Sequence, residues 1–181
     1  MNDALEIIDF WFVQSNPENW FASSKKFDKI LHDKYFDLHQ KVAIGEAFTW
    51  RTSALGRLAE IIVLDQFSRQ FYRNEAKAFA NDAMALVLAQ QLVAIKADKQ
   101  LDDSQRMFAY MPYMHSESLL IHDEAVRLYE DLGNQQALDF EIEHQNIIKQ
   151  FGRFPKRNTA LGRVSSIAEK EYIAGRDGHH F

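Results

Sequence analysis

Asp65 and Arg69, one helical turn apart in LAEIIVLDQFSRQFYR (58–73), fall on the stripe that Leu55, Leu58 and Ile62 mark as buried. A buried carboxylate without a partner costs several kcal/mol, so a cation must lie beside Asp65. Arg69 is the local candidate through an i,i+4 pair. A basic residue from segment 153–157, Arg153 or Arg157, is the tertiary one. Histidines offer a second chemistry, because imidazole titrates near neutral pH. His144 lies within the apolar face expected from Phe140, Ile147, Ile148 and Phe151, and His122 lies between Leu119 and Val126. Each reads as a core histidine bonded to a neighbour or as a proton carrier and ligand contact. YMPYMHSE (110–117) adds His115 and Glu117 at an expected helix start. The free N–H groups there favour an acid, which explains Glu117 and Ser116 but not His115. His32 and His39, among charged residues, read as surface.

The segment FGRFPKRNTALGR (151–163) concentrates Arg153, Lys156, Arg157 and Arg163 on a turn in a chain of formal net charge −5. Cations beyond a helix carboxyl terminus complement its dipole by only ~0.3–1 kcal/mol, too little to require four of them. The excess is expected to neutralise something acidic: Asp65 within the fold, an anionic ligand, or both. Arginine forks suit carboxylate and phosphate equally.

Helices must position these groups, since the periodicity is helical nearly throughout and no alternating strand pattern occurs. The spacing predicts helices over about 5–12, ending at a Ser15-Asn16-Pro17 turn, and 27–42, closed by Gly45. A third begins after Thr52 or Ser53, a fourth covers 76–96, and a fifth opens at Asp102-Asp103 and ends at Pro112. Ser116 is expected to cap a sixth, which stops near Gly133, and the seventh runs over about 136–151 to Gly152. Ser166 and Glu169 form a capping box for a short last helix. The expected fold is all-α: seven to eight helices in a tetratricopeptide-like array of antiparallel helical hairpins. One domain is expected over 1–181, with its core at 5–173 and a flexible tail at 174–181.

No apolar run reaches the ~18 residues needed to cross a bilayer. The acidic amino terminus is unlike a signal peptide, and cysteine is absent. A cytoplasmic protein is expected, with neither a membrane nor a nucleic acid as partner; a homo-oligomer is compatible with the chain. There is no standard metal-ligand spacing, cofactor motif or identifiable nucleophile, so no metal, cofactor or catalytic residue is assigned.

At FWF (10–12), LAEIIVLDQFSRQFYR, AFANDAMAL (78–86), YMPYMHSE and FGRFPKRNTALGR, the chain resembles a bacterial family catalogued only as domain of unknown function nine-two-four. The likeness runs over about 5–173. It implies an all-helical, tetratricopeptide-like fold and no established activity. The family's pattern points to Asp65, Gln66, Arg69, Arg73, His115, Glu117, His144, Gly152, Arg153, Arg157 and Asn158. This chain departs from it at Ser68 (usually proline), Met114 (often glutamate) and Lys156 (usually histidine). The last departure weakens an acid–base role for that loop and leaves Lys156 as an anion contact. Three functions remain open: a noncatalytic binding module for a peptide or small anionic ligand, a small enzyme (a hydrolase, for example) with a histidine acid/base and an arginine clamp, or a structural protein with internally paired charges.

Overall fold

The computed structural model describes residues 3–16, 18–21 and 24–175. These form α1 (Asp3–Asp9), α2 (Glu18–Phe21), α3 (Lys25–Ala43), α4 (Ala54–Ile62), α5 (Ser68–Phe71), α6 (Asp82–Ala94), α7 (Asp103–Met114), α8 (Leu119–Leu132), α9 (Gln135–Phe151) and α10 (Ile167–Gly175). Eight of the ten have seven residues or more, and no strand occurs among the described residues. Of the expected tail, Ala174 and Gly175 end α10; residues 176–181 and Pro17 lie outside the described residues.

Local chemistry explains most boundaries. Ser53 Oγ accepts from the Gly56 N–H at the start of α4, and reciprocal bonds between Asp102 and Gln105 open α7. Ser166 and Glu169 close the same kind of box on α10. Gly133 and Gly152, at φ +74° and +68°, end α8 and α9 in the left-handed conformation that glycine adopts without strain.

Three boundaries differ from those expected. Pro112 does not end its helix but lies inside α7. The His115 N–H bonds to Met111 O beyond it, and Tyr110, Met111, Tyr113 and Met114 are all buried, so packing holds the last turn despite the lost donor. The helix expected over 76–96 is split into a 3-10 turn, Ala76–Phe79, and α6. Asn81 supplies no side-chain cap there, because its amide donates to Ser68 Oγ at 3.3 Å. The sixth helix starts at Leu119 rather than after Ser116, whose Oγ instead accepts from the Ser118 N–H within the turn.

Two five-residue π-turns interrupt the α-geometry, Phe10–Gln14 after α1 and Val63–Phe67 between α4 and α5. They meet in the core, where the Trp11 and Phe67 rings lie 5.6 Å apart. Trp20 donates its indole N–H to Trp11 O at 3.0 Å, satisfying a carbonyl of the first π-turn. The main core joins these aromatics to Leu58, Ile61, Ile62, Phe108, Tyr110 and Tyr129. Each such buried side chain stabilises the fold by roughly 1.5–3 kcal/mol.

Helices α7, α8 and α9 run alternately up and down. Tyr129 near the end of α8 bonds to Met107 O early in α7, and His122 early in α8 faces Glu141 on α9. A smaller apolar cluster of Ile147, Ile148 and Phe154, packed with Phe151 and Tyr172, fastens the segment after α9 to the bundle. Phe140 is not part of that apolar face; it is 45% exposed. The face of α9 that packs inward is carried by Ala137, Glu141, His144, Gln145 and Ile148.

Candidate functional site

The π-turn after α4 places Asp65 in the interior, 1% exposed, as its stripe requires. His115, at the end of α7, reaches it with Nδ1 2.7 Å from Asp65 Oδ1. Arg69 Nη1 lies 2.9 Å from the same oxygen, and Gln66 Nε2–H donates to Oδ2 at 2.5 Å. Burial alone would push the Asp65 carboxyl up, but the Arg69 guanidinium and His115 outweigh it and hold the group far below the usual carboxylate range. Asp65 is therefore ionised.

That fixes the imidazole. Burial first, then the Arg69 charge, lower the His115 pKa from its ordinary value, so the ring is neutral at pH 7. An ionised carboxylate can only accept, so the single ring proton sits on Nδ1 and donates to Asp65. Nε2 carries a lone pair. No hydrogen bond among the described residues engages Nε2, and the side chain keeps 17% of its surface exposed.

Arg69 also grips Asp82, from the first turn of α6, through two bonds of 2.9 and 3.0 Å. Arg157 joins the cluster from the basic segment. Its Nη1 is 3.3 Å from Asp82 Oδ2 and its Nη2–H donates to His115 O at 3.0 Å. Its guanidinium is sandwiched between the Phe79 and Phe154 rings, 4.7 and 4.5 Å from their centroids. Arg157 is a poorly compensated cation: burial, then the Arg69 charge, bring its pKa down to about 10. Its Nε has no hydrogen-bond partner.

The other candidates are distributed around this cluster. His144, 6% exposed, donates from Nδ1 to Phe140 O at 2.7 Å and packs edge-on against Phe154. Burial lowers its pKa to about 3. Glu117 does not serve the α8 terminus; it accepts from the Phe154 N–H at 2.7 Å and pairs with both terminal nitrogens of Arg163. Burial would raise its pKa, but Arg163 and the Phe154 amide hold it low. Arg153 turns away to Glu169 on α10, with bonds of 2.6 and 2.9 Å. Arg73 faces Asp28 on α3. Asn158 is buried and donates to Ser165 Oγ, while Lys156 is half-buried on the 3-10 turn Pro155–Arg157.

Each arginine of the segment thus meets an acid from another element: Arg153 with Glu169, Arg157 with Asp82, Arg163 with Glu117. Asp82 and Arg163 were not singled out as site residues from the sequence. Their signal was the charge excess itself, which needed acids elsewhere to balance it. His39 contradicts its surface reading: it is 2% exposed, with Nε2 2.8 Å from Ser68 Oγ. The seven-residue spacing from His32 is two turns of helix, so both rings pack edge-on against Phe71 of α5, but only His39 is covered, where its ring also meets Ser68. No group of three or more metal-binding side chains occurs among the described residues.

An all-α protein with a buried aspartate–histidine–arginine cluster at the junction of α4, α7 and the segment after α9 is the class these features define. Residues 7–177 match the family described as bacterial protein of unknown function (DUF924), and the chain belongs to it. It is similar to the solved structure of ATU0120, a protein of unknown function from Agrobacterium tumefaciens. The two share 33% sequence identity over 96% of this chain and 97% of that one, with a TM-score of 0.91. No curated protein matches the chain. No described helix is long and apolar enough to cross a membrane.

Proposed function

We propose that this protein is a noncatalytic binding module for a small anionic ligand, held at the exposed edge of His115. The observation that carries this reading is the His115 lone pair: Asp65 fixes the tautomer, and Nε2 has no hydrogen-bond partner among the described residues. A ligand hydroxyl or amine donates to Nε2, while its anionic group lies against Arg69 and Arg157. Asp82, 21% exposed, already serves both guanidiniums, so the anion competes with an internal carboxylate. Affinity then depends on the ligand offering a donor and an anion together. Peptide carboxylates belong to the same chemical class. A helical-hairpin scaffold resembling tetratricopeptide arrays supports such a surface by analogy of fold, and the lack of cysteine is compatible with the cytoplasm.

The fixed tautomer favours one other reading, a general base that takes a proton from water or substrate at Nε2. Both readings are separated by one set of measurements. Thermal melting is followed against acetate, phosphate and 2-hydroxy acids, alongside the His115 imidazole nitrogen signals. The expected result is a saturable rise, about 2.7 kcal/mol of stabilisation at one hundred times Kd, largest for hydroxy acids and absent in His115→Gln. Turnover of any panel compound, lost in His115→Gln, would move the assignment to catalysis. A panel that shifts neither the melting point nor the Nε2 signal overturns the binding reading.

A further inference from the structure

A second histidine–carboxylate pair lies behind the first. His122 on α8 and Glu141 on α9 are both 0% exposed, with Nδ1 2.6 Å from Oε1. The other ring nitrogen, Nε2, lies 2.8 Å from Ser116 O. A carbonyl oxygen only accepts, so Nε2 carries a proton and donates to Ser116. One further proton lies between Nδ1 and Oε1, because two facing lone pairs would repel in an interior that water does not reach. Glu141 Oε2 has no partner, so the Nδ1–Oε1 link is the bond that holds this carboxyl, whose pKa burial raises.

The pair touches both segments that build the candidate site. Ser116 is the residue between His115 and Glu117. The His122 ring also packs edge-on against Phe154, centroids 6.1 Å apart, and Phe154 lies beneath the Arg157 guanidinium. The turn 115–118 is short and outside any helix, so its carbonyl at 116 needs a partner to hold one orientation. His122 is that partner, and Glu141 holds the opposite ring nitrogen so that the ring stays in place. If the Glu141 link is removed, Nδ1 is left buried without a partner and the Ser116 carbonyl alone holds the ring, which is then free to turn away from it.

We propose that His122 and Glu141 are positioning residues: their one-proton link orients the Ser116 carbonyl and thereby aims His115 at Asp65 and Glu117 at Arg163. The significance of the inference rests on the role given to His115, but its test uses no ligand. The protein is prepared as wild type, Glu141→Gln and Glu141→Leu, and the His115 imidazole nitrogen shifts and amide exchange at 115–118 are recorded. In Glu141→Gln the side-chain amide donates to Nδ1 and keeps the link, so the His115 signals stay at their wild-type values. In Glu141→Leu they move toward the tautomer mixture of a free imidazole, and amide protection at 115–118 falls at least tenfold. A purely structural role would lower the melting temperature of Glu141→Leu and leave the His115 signals of the folded protein unmoved. That result overturns the inference, as does a Gln variant as disturbed as the Leu variant. Should Glu141→Leu not fold, the pair is replaced by His122→Phe with Glu141→Leu, which keeps the volume apolar, and the same signals are read. Failure of the ligand panel with altered His115 signals here would remove the proposed function and leave the positioning role standing.

Discussion

Replacing Asp65 by alanine tests whether the buried cluster is held by its carboxylate. Three donors lose their acceptor: His115 Nδ1, Arg69 Nη1 and Gln66 Nε2. Removing one partner of a buried pair costs about 3–5 kcal/mol when the other charge is stranded. Arg69 is not stranded, since it keeps two bonds to Asp82 and one to the backbone carbonyl at 65. The loss is therefore expected at the lower end, about 3 kcal/mol, from hydrogen bonds to a charged group at ~1.5–3 kcal/mol each less the relaxation of Gln66. With a urea m value of about 2 kcal/mol/M, the midpoint falls by about 1.5 M. The assay is urea unfolding followed by far-ultraviolet circular dichroism, with the His115 nitrogen shifts read in parallel. The sign of the pH dependence is a second check. The folded Asp65 pKa is depressed, so its contribution is fully present above the unfolded value of about 3.9 and is lost as pH falls through and below that value. The difference between wild type and Asp65→Ala should be constant from neutral pH to about 5 and shrink in stronger acid. A loss under about 1 kcal/mol, the scale of a surface pair, would refute the argument that this carboxylate organises the cluster.

Two further changes probe the scaffold. Gly56→Ala should destabilise by about 3 kcal/mol or more, because the new Cβ would collide with Trp50 O, a backbone atom that cannot step aside cheaply; a melting temperature equal to wild type would show that the 3-10 turn Phe48–Thr52 yields instead. Burial lowers the His39 pKa to about 4, so the unfolded chain binds its proton first and stability falls as pH drops from 6.5 toward 4, by about 3 kcal/mol from this residue. His39→Gln, which keeps a donor for Ser68 Oγ, should flatten that part of the stability–pH curve; an unchanged slope between pH 4 and 6.5 would place the titration elsewhere.

Signals that act within one turn of chain were legible in the sequence. Ser53, the Asp102–Gln105 and Ser166–Glu169 boxes, and the glycines at 133 and 152 each end or begin a helix by satisfying backbone groups a few residues away. Asp65 was legible for the same reason: its stripe and the i,i+4 spacing to Arg69 are local, and burying a carboxylate demands a cation whatever the fold. Long-range choices belonged to the tertiary structure. Only the packing of α6 against the preceding π-turn brings Asp82 to Arg69. Only the return of segment 153–163 across the 115–118 turn gives Glu117 to Arg163 rather than to a helix terminus. His39 goes inside and Phe140 stays out because neighbouring helices decide which side of α3 and α9 is covered. Pro112 remains helical because its buried neighbours outweigh one missing hydrogen bond. The His115 tautomer is the finest of these decisions: it depends on one oxygen of Asp65, fifty residues away in sequence and 2.7 Å away in space.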